Sequence, residues 1–218
     1  MSGIIQRLQA ATAHERALLL AVLAIVSALL SWGLPEPDIV FFDKTPMLPA
    51  LWFGLVLCAG VALWSSRSPF TLVLVLLASG AAWLAAFEAT VHVHGSIEDQ
   101  IVSQSGAPTP NFSVPIVNYL LGLCGMLGGL VGSAILVVII SAAVSSIRSV
   151  PSWTRTVLVG TIAGLFLECL ASRAAGELFV HVDSLLPLFL VWQMSVAASL
   201  AYSLAKPAPA AGGGRGSP

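Results

Sequence analysis

Six long apolar runs leave this chain little choice of environment. They cover residues 17–34, 47–64, 70–91, 116–147, 156–179 and 185–205. A helix needs about 20 mostly apolar residues to cross the hydrocarbon core of a bilayer. Charged residues are 9 % of the 218-residue chain and hydrophobic ones 57 %. A soluble domain carries about a quarter charged residues, and so few charges cannot cover a globular surface. The expected fold class is therefore all-α, a polytopic membrane bundle of six transmembrane helices, with the lipid bilayer as its first partner. The opening run lacks a clear small-residue cleavage site, which argues against a signal peptide. Ahead of it, Ile4, Ile5 and Leu8 suit a short interfacial turn.

The basic residues divide unevenly between the two sides of such a bundle. Arg7, Arg16, Arg67, Arg148, Arg155, Lys206 and Arg215 fall in the N-terminus, the second and fourth loops and the tail. Lys44 stands alone on the other side, with Arg173 inside the fifth run. That other side carries Glu36, Asp38, Asp43, Glu98, Asp99 and Asp183. Cationic loops stay cytoplasmic, so both termini are expected inside the cell membrane and the acidic loops outside. The resulting organisation is a cytoplasmic N-terminal segment over 1–16, a membrane domain over 17–205 and a tail over 206–218. The tail, KPAPAAGGGRGSP, is rich in Pro, Gly and Ala without periodicity and reads as disordered. A net charge of −1 without basic clusters excludes a nucleic-acid partner. Cys58, Cys124 and Cys169 lie inside apolar runs and form no CxxC, which suits small buried hydrophobes.

Two stretches resemble each other. EATVHVHGS begins at Glu88 and ELFVHVDSL at Glu177, and both read E-x-x-V-H-V-[HD]. Each closes an outward-going run. Before the third run stands SSRSP and before the fifth SSIRSVP. Pro49, Leu55, Leu57 and Cys58 match Pro115, Leu121, Leu123 and Cys124 at the same offsets. These agreements predict a duplicated two-helix hairpin, with copies over 47–95 and 115–184. Both copies have the same orientation, so they are related by an axis along the membrane normal, as in some transporters. The alternative is convergence on common membrane sequence patterns.

The fourth run is 32 residues long (116–147). As straight helix it would span about 48 Å at 1.5 Å per residue, so it must tilt, bend or protrude. It carries Gly122, Gly125, Gly128, Gly129 and Gly132, including two overlapping GxxxG pairs. Such glycines let helix backbones approach closely. They predict a packing seam, either within the chain or towards another copy or another membrane subunit.

The histidines offer two readings. Glu88 and His92, like Glu177 and His181, are spaced i, i+4 and stack on one face of a helix, where they would form interfacial caps favoured by the macrodipole. If the chain is instead extended after Val91, His92 and His94 project to one side, and so do His181 and Asp183. Imidazole and carboxylate ligands together suit zinc or copper(II). The candidate metal set is then His92, His94, His181, Asp183, Glu88 and Glu177. A proton-relay or pH-sensing role is a third use for these histidines.

Glu168 lies deep in the fifth run among Leu165, Phe166, Leu167 and Leu170. An ionisable side chain at that depth costs a few kcal/mol and must meet protein or water rather than lipid. With Arg173 it forms a candidate ion or proton pathway, and Asn118 and Gln193 are polar residues able to pair with it across helices. Gly132–Ser133 has no G-x-S-x-G around it, and neither a P-loop nor an HExxH is present, so the sequence leans away from an enzyme, a metalloenzyme built on the histidine cluster being the last-ranked alternative. The leading expectation is a small transporter or channel component for an ion or small solute. The rivals are a non-catalytic membrane subunit or assembly factor and an outer-face metal-binding protein. A reporter fused after Lys206 is expected to be active only in the cytoplasm and one inserted at Gly106 only outside. An active cytoplasmic reporter at Gly106 would overturn the six-span topology.

Overall fold

The computed structural model describes residues 2–33, 47–65, 68–105, 115–174 and 189–204. All the regular structure among them is helical. In chain order the helices are α1 (Ser2–Gln9), α2 (Ala13–Gly33), α3 (Leu48–Trp64), α4 (Pro69–Ser105) and α5 (Pro115–Ala143). A 3₁₀ turn (Ser145–Ile147) leads into α6 (Val150–Ala174). A π-helical segment (Phe189–Gln193) then runs into α7 (Met194–Ser203). Among the described residues three helical stretches are long and apolar enough to cross a membrane: Ala13–Ser31, Pro69–Ile97 and Gly122–Ala143. Leu48–Trp64 is apolar but shorter.

Local chemistry sets several of the helix ends. α2 opens on a capping box. The Thr12 N–H donates to Glu15 Oε2 at 2.7 Å, and the Glu15 N–H donates to Thr12 Oγ1 at 3.3 Å, which satisfies two donors that a helix start leaves free. α3 carries Pro49 in its first turn, where the missing N–H costs no helical hydrogen bond. It ends at Trp64, whose indole N–H donates to the Leu8 carbonyl of α1 at 2.7 Å. The expected short interfacial element is thus a two-turn helix pinned to the end of α3, with Ile4 and Ile5 exposed.

The fourth run is not one helix to its end. α5 stops at Ala143, Val144 is extended, and residues 145–147 turn back so that Ile147 is only 1 % exposed. Arg148 holds the stop: its Nε donates to the Ser141 carbonyl and its Nη2 to the Ala142 carbonyl, both at 2.8 Å. Two carbonyls left free at the end of α5 are so satisfied, and the excess apolar length becomes a buried reversal. α4 departs in the other direction. The run ends at Val91, but the helix continues to Ser105, and its 37 residues extend about 55 Å.

The helices from α2 to α7 succeed one another antiparallel. Arg16 at the start of α2 meets Leu204 just past α7, while Ser27 further along α2 meets Gln193. In the α3–α4 pair Cys58 reaches Leu72, and Ser79 reaches back to Ala50. At the head of α6, Ser152 and Thr156 pair with Ser203 and Ser199 of α7.

α5 lies between two neighbours. A Cβ on Gly129 would stand 2.2 Å from the Gly160 carbonyl oxygen of α6, and one on Gly164 would stand 2.1 Å from the Gly125 carbonyl oxygen. On its other side a Cβ on Gly128 would meet Thr90 Oγ1 at 2.1 Å, and one on Gly132 would meet the Ala86 Cβ of α4 at 2.9 Å. The two overlapping GxxxG pairs therefore serve different partners within the chain. Small residues at this spacing let backbones pack closely where lipid supplies no hydrophobic drive.

The interior is closed by Leu20, Phe53, Leu57, Val75, Leu136 and Leu200, each at most 2 % exposed. Small hydroxyls share that interior: Ser27, Ser79, Ser133 and Thr156 are all buried. The outer surface is apolar. On α2 the exposed face is Leu18, Val22, Val26 and Leu29, opposite buried Leu20, Ala24 and Ala28. Such stripes of Leu and Val suit lipid and not water. Gly129→Ala is expected to force α5 from α6 and to cost about 1–3 kcal/mol in unfolding measurements in detergent. Gly95→Ala, in a helical position with nothing within 4 Å of a Cβ, should be neutral or stabilising by up to about 1 kcal/mol. Equal losses at the two sites would remove the seam from its structural role.

Candidate functional site

The first histidine motif lies wholly within α4. Because the backbone stays helical from Val91 to Ser105, the extended arrangement that would bring His92 and His94 to one side is not formed. Helical residues two apart are about 200° apart around the axis, so the two positions lie on opposed faces. Glu88 and His92 do share a face at i, i+4, and both are exposed. They do not cap a helix end, since α4 continues 13 residues beyond His92, from Val93 to Ser105. The His92 carbonyl accepts the Ser96 hydroxyl at 2.8 Å. Glu177, His181 and Asp183 lie outside the described residues, as does the second copy of the motif. Among the described residues no three His, Cys, Asp or Glu side chains gather as a metal site.

Glu168 and Arg173 are both in α6, which runs from Val150 to Ala174. In the sequence Glu168 follows Gly160 and Gly164 at the same four-residue spacing. Asn118 is the fourth residue of α5, at the end away from the Arg148 reversal. Cys58 is half-buried and its thiol donates to the Leu72 carbonyl at 3.2 Å, while Cys124 is fully buried.

The polar feature that the packing singles out is Gln193. Its side chain is fully buried, in the last turn of the π-helical segment. Its Nε2 donates to the Pro49 carbonyl of α3 at 3.3 Å, and its Oε1 accepts the Ser27 hydroxyl of α2 at 3.2 Å. Ser31 then donates to the Ser27 carbonyl at 2.8 Å. One amide so joins three elements, and both of its ends are engaged by α2 and α3. Next to it Trp192 is 4 % exposed, packs its ring on Phe53 at 5.7 Å between centroids, and buries an indole N–H without an acceptor. A π-helical turn is wider than an α turn and is often found at functional positions. Here it sets Trp192 against Gly132 of α5 and Gln193 against Ser27 of α2.

A second polar constellation gathers at the end shared by the start of α2, the start of α6 and the end of α7. Arg155 Nη2 donates to Ser203 Oγ at 2.6 Å and to the Ser199 carbonyl at 3.1 Å. Its guanidinium carbon lies 5.2 Å from the centre of the Tyr202 ring. His14 meets the same ring edge-on at 5.4 Å, and Arg16 Nη1 donates to the Leu204 carbonyl. Arg16 and Arg155 were visible as basic positions in the sequence, but their convergence with Ser203 and Tyr202 on one helix end has no local sequence signal. The Gly160–Gly164 half of the α5–α6 seam did have one, the GxxxG spacing in GTIAG.

No protein-family model, curated protein or solved structure matches the chain.

Gln193→Leu should cost about 1 kcal/mol, the scale of interhelical hydrogen bonds in membranes. Ser27→Ala should cost about as much or less, and the double variant clearly less than the sum, because the two share one bond. Additive losses in a double-mutant cycle would show that the amide and the hydroxyl are not coupled.

Proposed function

We propose that this protein is a six-span integral membrane protein that acts as a transporter or channel component for an ion or small solute. Both termini lie on the cytoplasmic side. The antiparallel succession from α2 to α7 supports the six-span reading. The placement of Arg16, Arg148 and Arg155 at one end supports the orientation, since cationic ends stay inside. The duplicated hairpin belongs to the same reading and rests on the matched sequence stations.

The observation that carries the transport reading is the position of Glu168. It follows Gly164, the last glycine of the α5–α6 seam, by four residues in the sequence. About 12 residues separate it from Thr156, or about 18 Å of helix. An ionisable group that deep in an apolar run marks a pathway by default. The buried amide of Gln193 and the π-helical turn beside it supply a second polar region inside the same bundle. A non-catalytic membrane subunit or assembly factor is the second reading. Close apolar packing around Phe53, Leu57 and Leu136 favours it, since a rigid core suits a structural partner.

Purified protein in proteoliposomes loaded with a proton-sensitive dye separates the two. Under an imposed sodium, potassium or pH gradient, the wild type is expected to move protons or cations. Glu168→Gln should insert and melt as the wild type does yet lose that flux, because an amide keeps the size but cannot exchange a proton. Flux that survives in Glu168→Gln removes the pathway from Glu168. No flux from the wild type under any of these gradients favours the subunit reading.

A further inference from the structure

Two guanidinium groups converge on the last turn of α7, and among the described residues no carboxylate bonds to either. Arg16 comes from α2 and Arg155 from α6, and they bond to the consecutive residues Leu204 and Ser203. Both side chains are half-buried, and the Nε of each is shielded from solvent without an acceptor. A guanidinium has five N–H donors, and these contacts occupy one nitrogen of each. A helix C-terminus is the negative end of the dipole and carries about half an elementary charge, which offsets only part of two guanidinium charges. Among the described residues the acidic side chain at this end is Glu15, and its carboxylate is engaged by Thr12.

The surroundings identify the kind of anion. Three residues beyond Arg155, on the same side of α6, Leu158 is exposed (55 %). Tyr202, whose ring lies under the Arg155 guanidinium and is partly exposed, is an amphipathic aromatic of the kind that favours a membrane interface. A free phosphate would meet only the charged half of this arrangement. A phospholipid would meet both halves, with its phosphate at the forked guanidiniums and an acyl chain along Leu158.

We propose that Arg16 and Arg155, together with Ser203 and Tyr202, form a binding site for the phosphate headgroup of an anionic phospholipid in the cytoplasmic leaflet. The proposal rests on the membrane reading above and is independent of transport.

Nanodiscs containing equal amounts of phosphatidylglycerol and phosphatidylcholine provide the test, with the lipids that stay bound on release counted by native mass spectrometry. The wild type is expected to retain phosphatidylglycerol with a preference of roughly tenfold or more, and Arg16→Gln with Arg155→Gln to lose most of it. Arg7→Gln with Arg67→Gln removes equal charge from basic positions expected on the same side and should keep the preference. Equal retention of the two lipids by the wild type overturns the proposal, and that measurement needs no variant to fold. A preference lost equally in both double variants also overturns it, since the end would then act only as diffuse charge. Displacement of phosphatidylglycerol by inorganic phosphate at equal concentration would assign the site to a free anion instead. Release of the protein from membranes by carbonate washing would count against the membrane reading itself, apart from any lipid preference.

Discussion

The contact on which this architecture depends is backbone against backbone, between α5 and both of its neighbours. Gly125 and Gly129 face α6, and Gly128 and Gly132 face α4. Rotating α5 to relieve a clash on one side would drive it into the other. Helices in lipid gain no hydrophobic drive from meeting one another, so dispersion over closely fitted surfaces and interhelical hydrogen bonds must hold them. The second of these is present as well. Ser133, one turn beyond Gly129, donates to the Gly129 carbonyl at 2.6 Å and lies 3.4 Å from the Val157 carbonyl of α6.

The distribution of side chains follows from the same solvent. A soluble bundle hides Leu and Val and shows Ser and Thr; here α2 and α4 show Leu18, Val22, Val73 and Leu77 and bury Ser27, Ser31, Thr71 and Ser79. Hydroxyls cost little inside because each can bond to a helical carbonyl, as Ser31 does to Ser27 and Ser79 does to Ala50 across the α3–α4 contact. Gln193 extends this principle to a larger group by dividing its amide between two helices.

Much of the framework was legible in the sequence, because apolar length and glycine spacing are local properties. The starts of α2, α3 and α5 fall close to the edges of the apolar runs, and the GxxxG pairs are packing positions. Three features were not legible in this way. α4 outlasts its apolar run because nothing from His92 to Ser105 breaks a helix, and polarity does not end one. α5 stops short of its run because Arg148, beyond that run, folds back onto the Ser141 and Ala142 carbonyls. The candidate sites were the least accessible. The use of Gln193 by Ser27 and Pro49, and of α7 by Arg16 and Arg155, depends on helices distant in sequence, and neither has a local signature.

The length of α4 raises the question of what fixes its height. Its hydrogen-bond ladder is internal throughout, so the backbone is as content in headgroups or water as in hydrocarbon, and sliding by a turn breaks no backbone bond. Side chains must set the vertical register instead. Thr90 lies where a Cβ on Gly128 would be, and its hydroxyl is tied back to the Ala86 carbonyl at 2.9 Å. That pairing works as a detent, the tooth nearest the far tip in a row that continues with Ala86 against Gly132 and Ser79 against Ala50. On a rod about 55 Å long, a push on the far tip, past His92, would therefore be resisted first at Thr90.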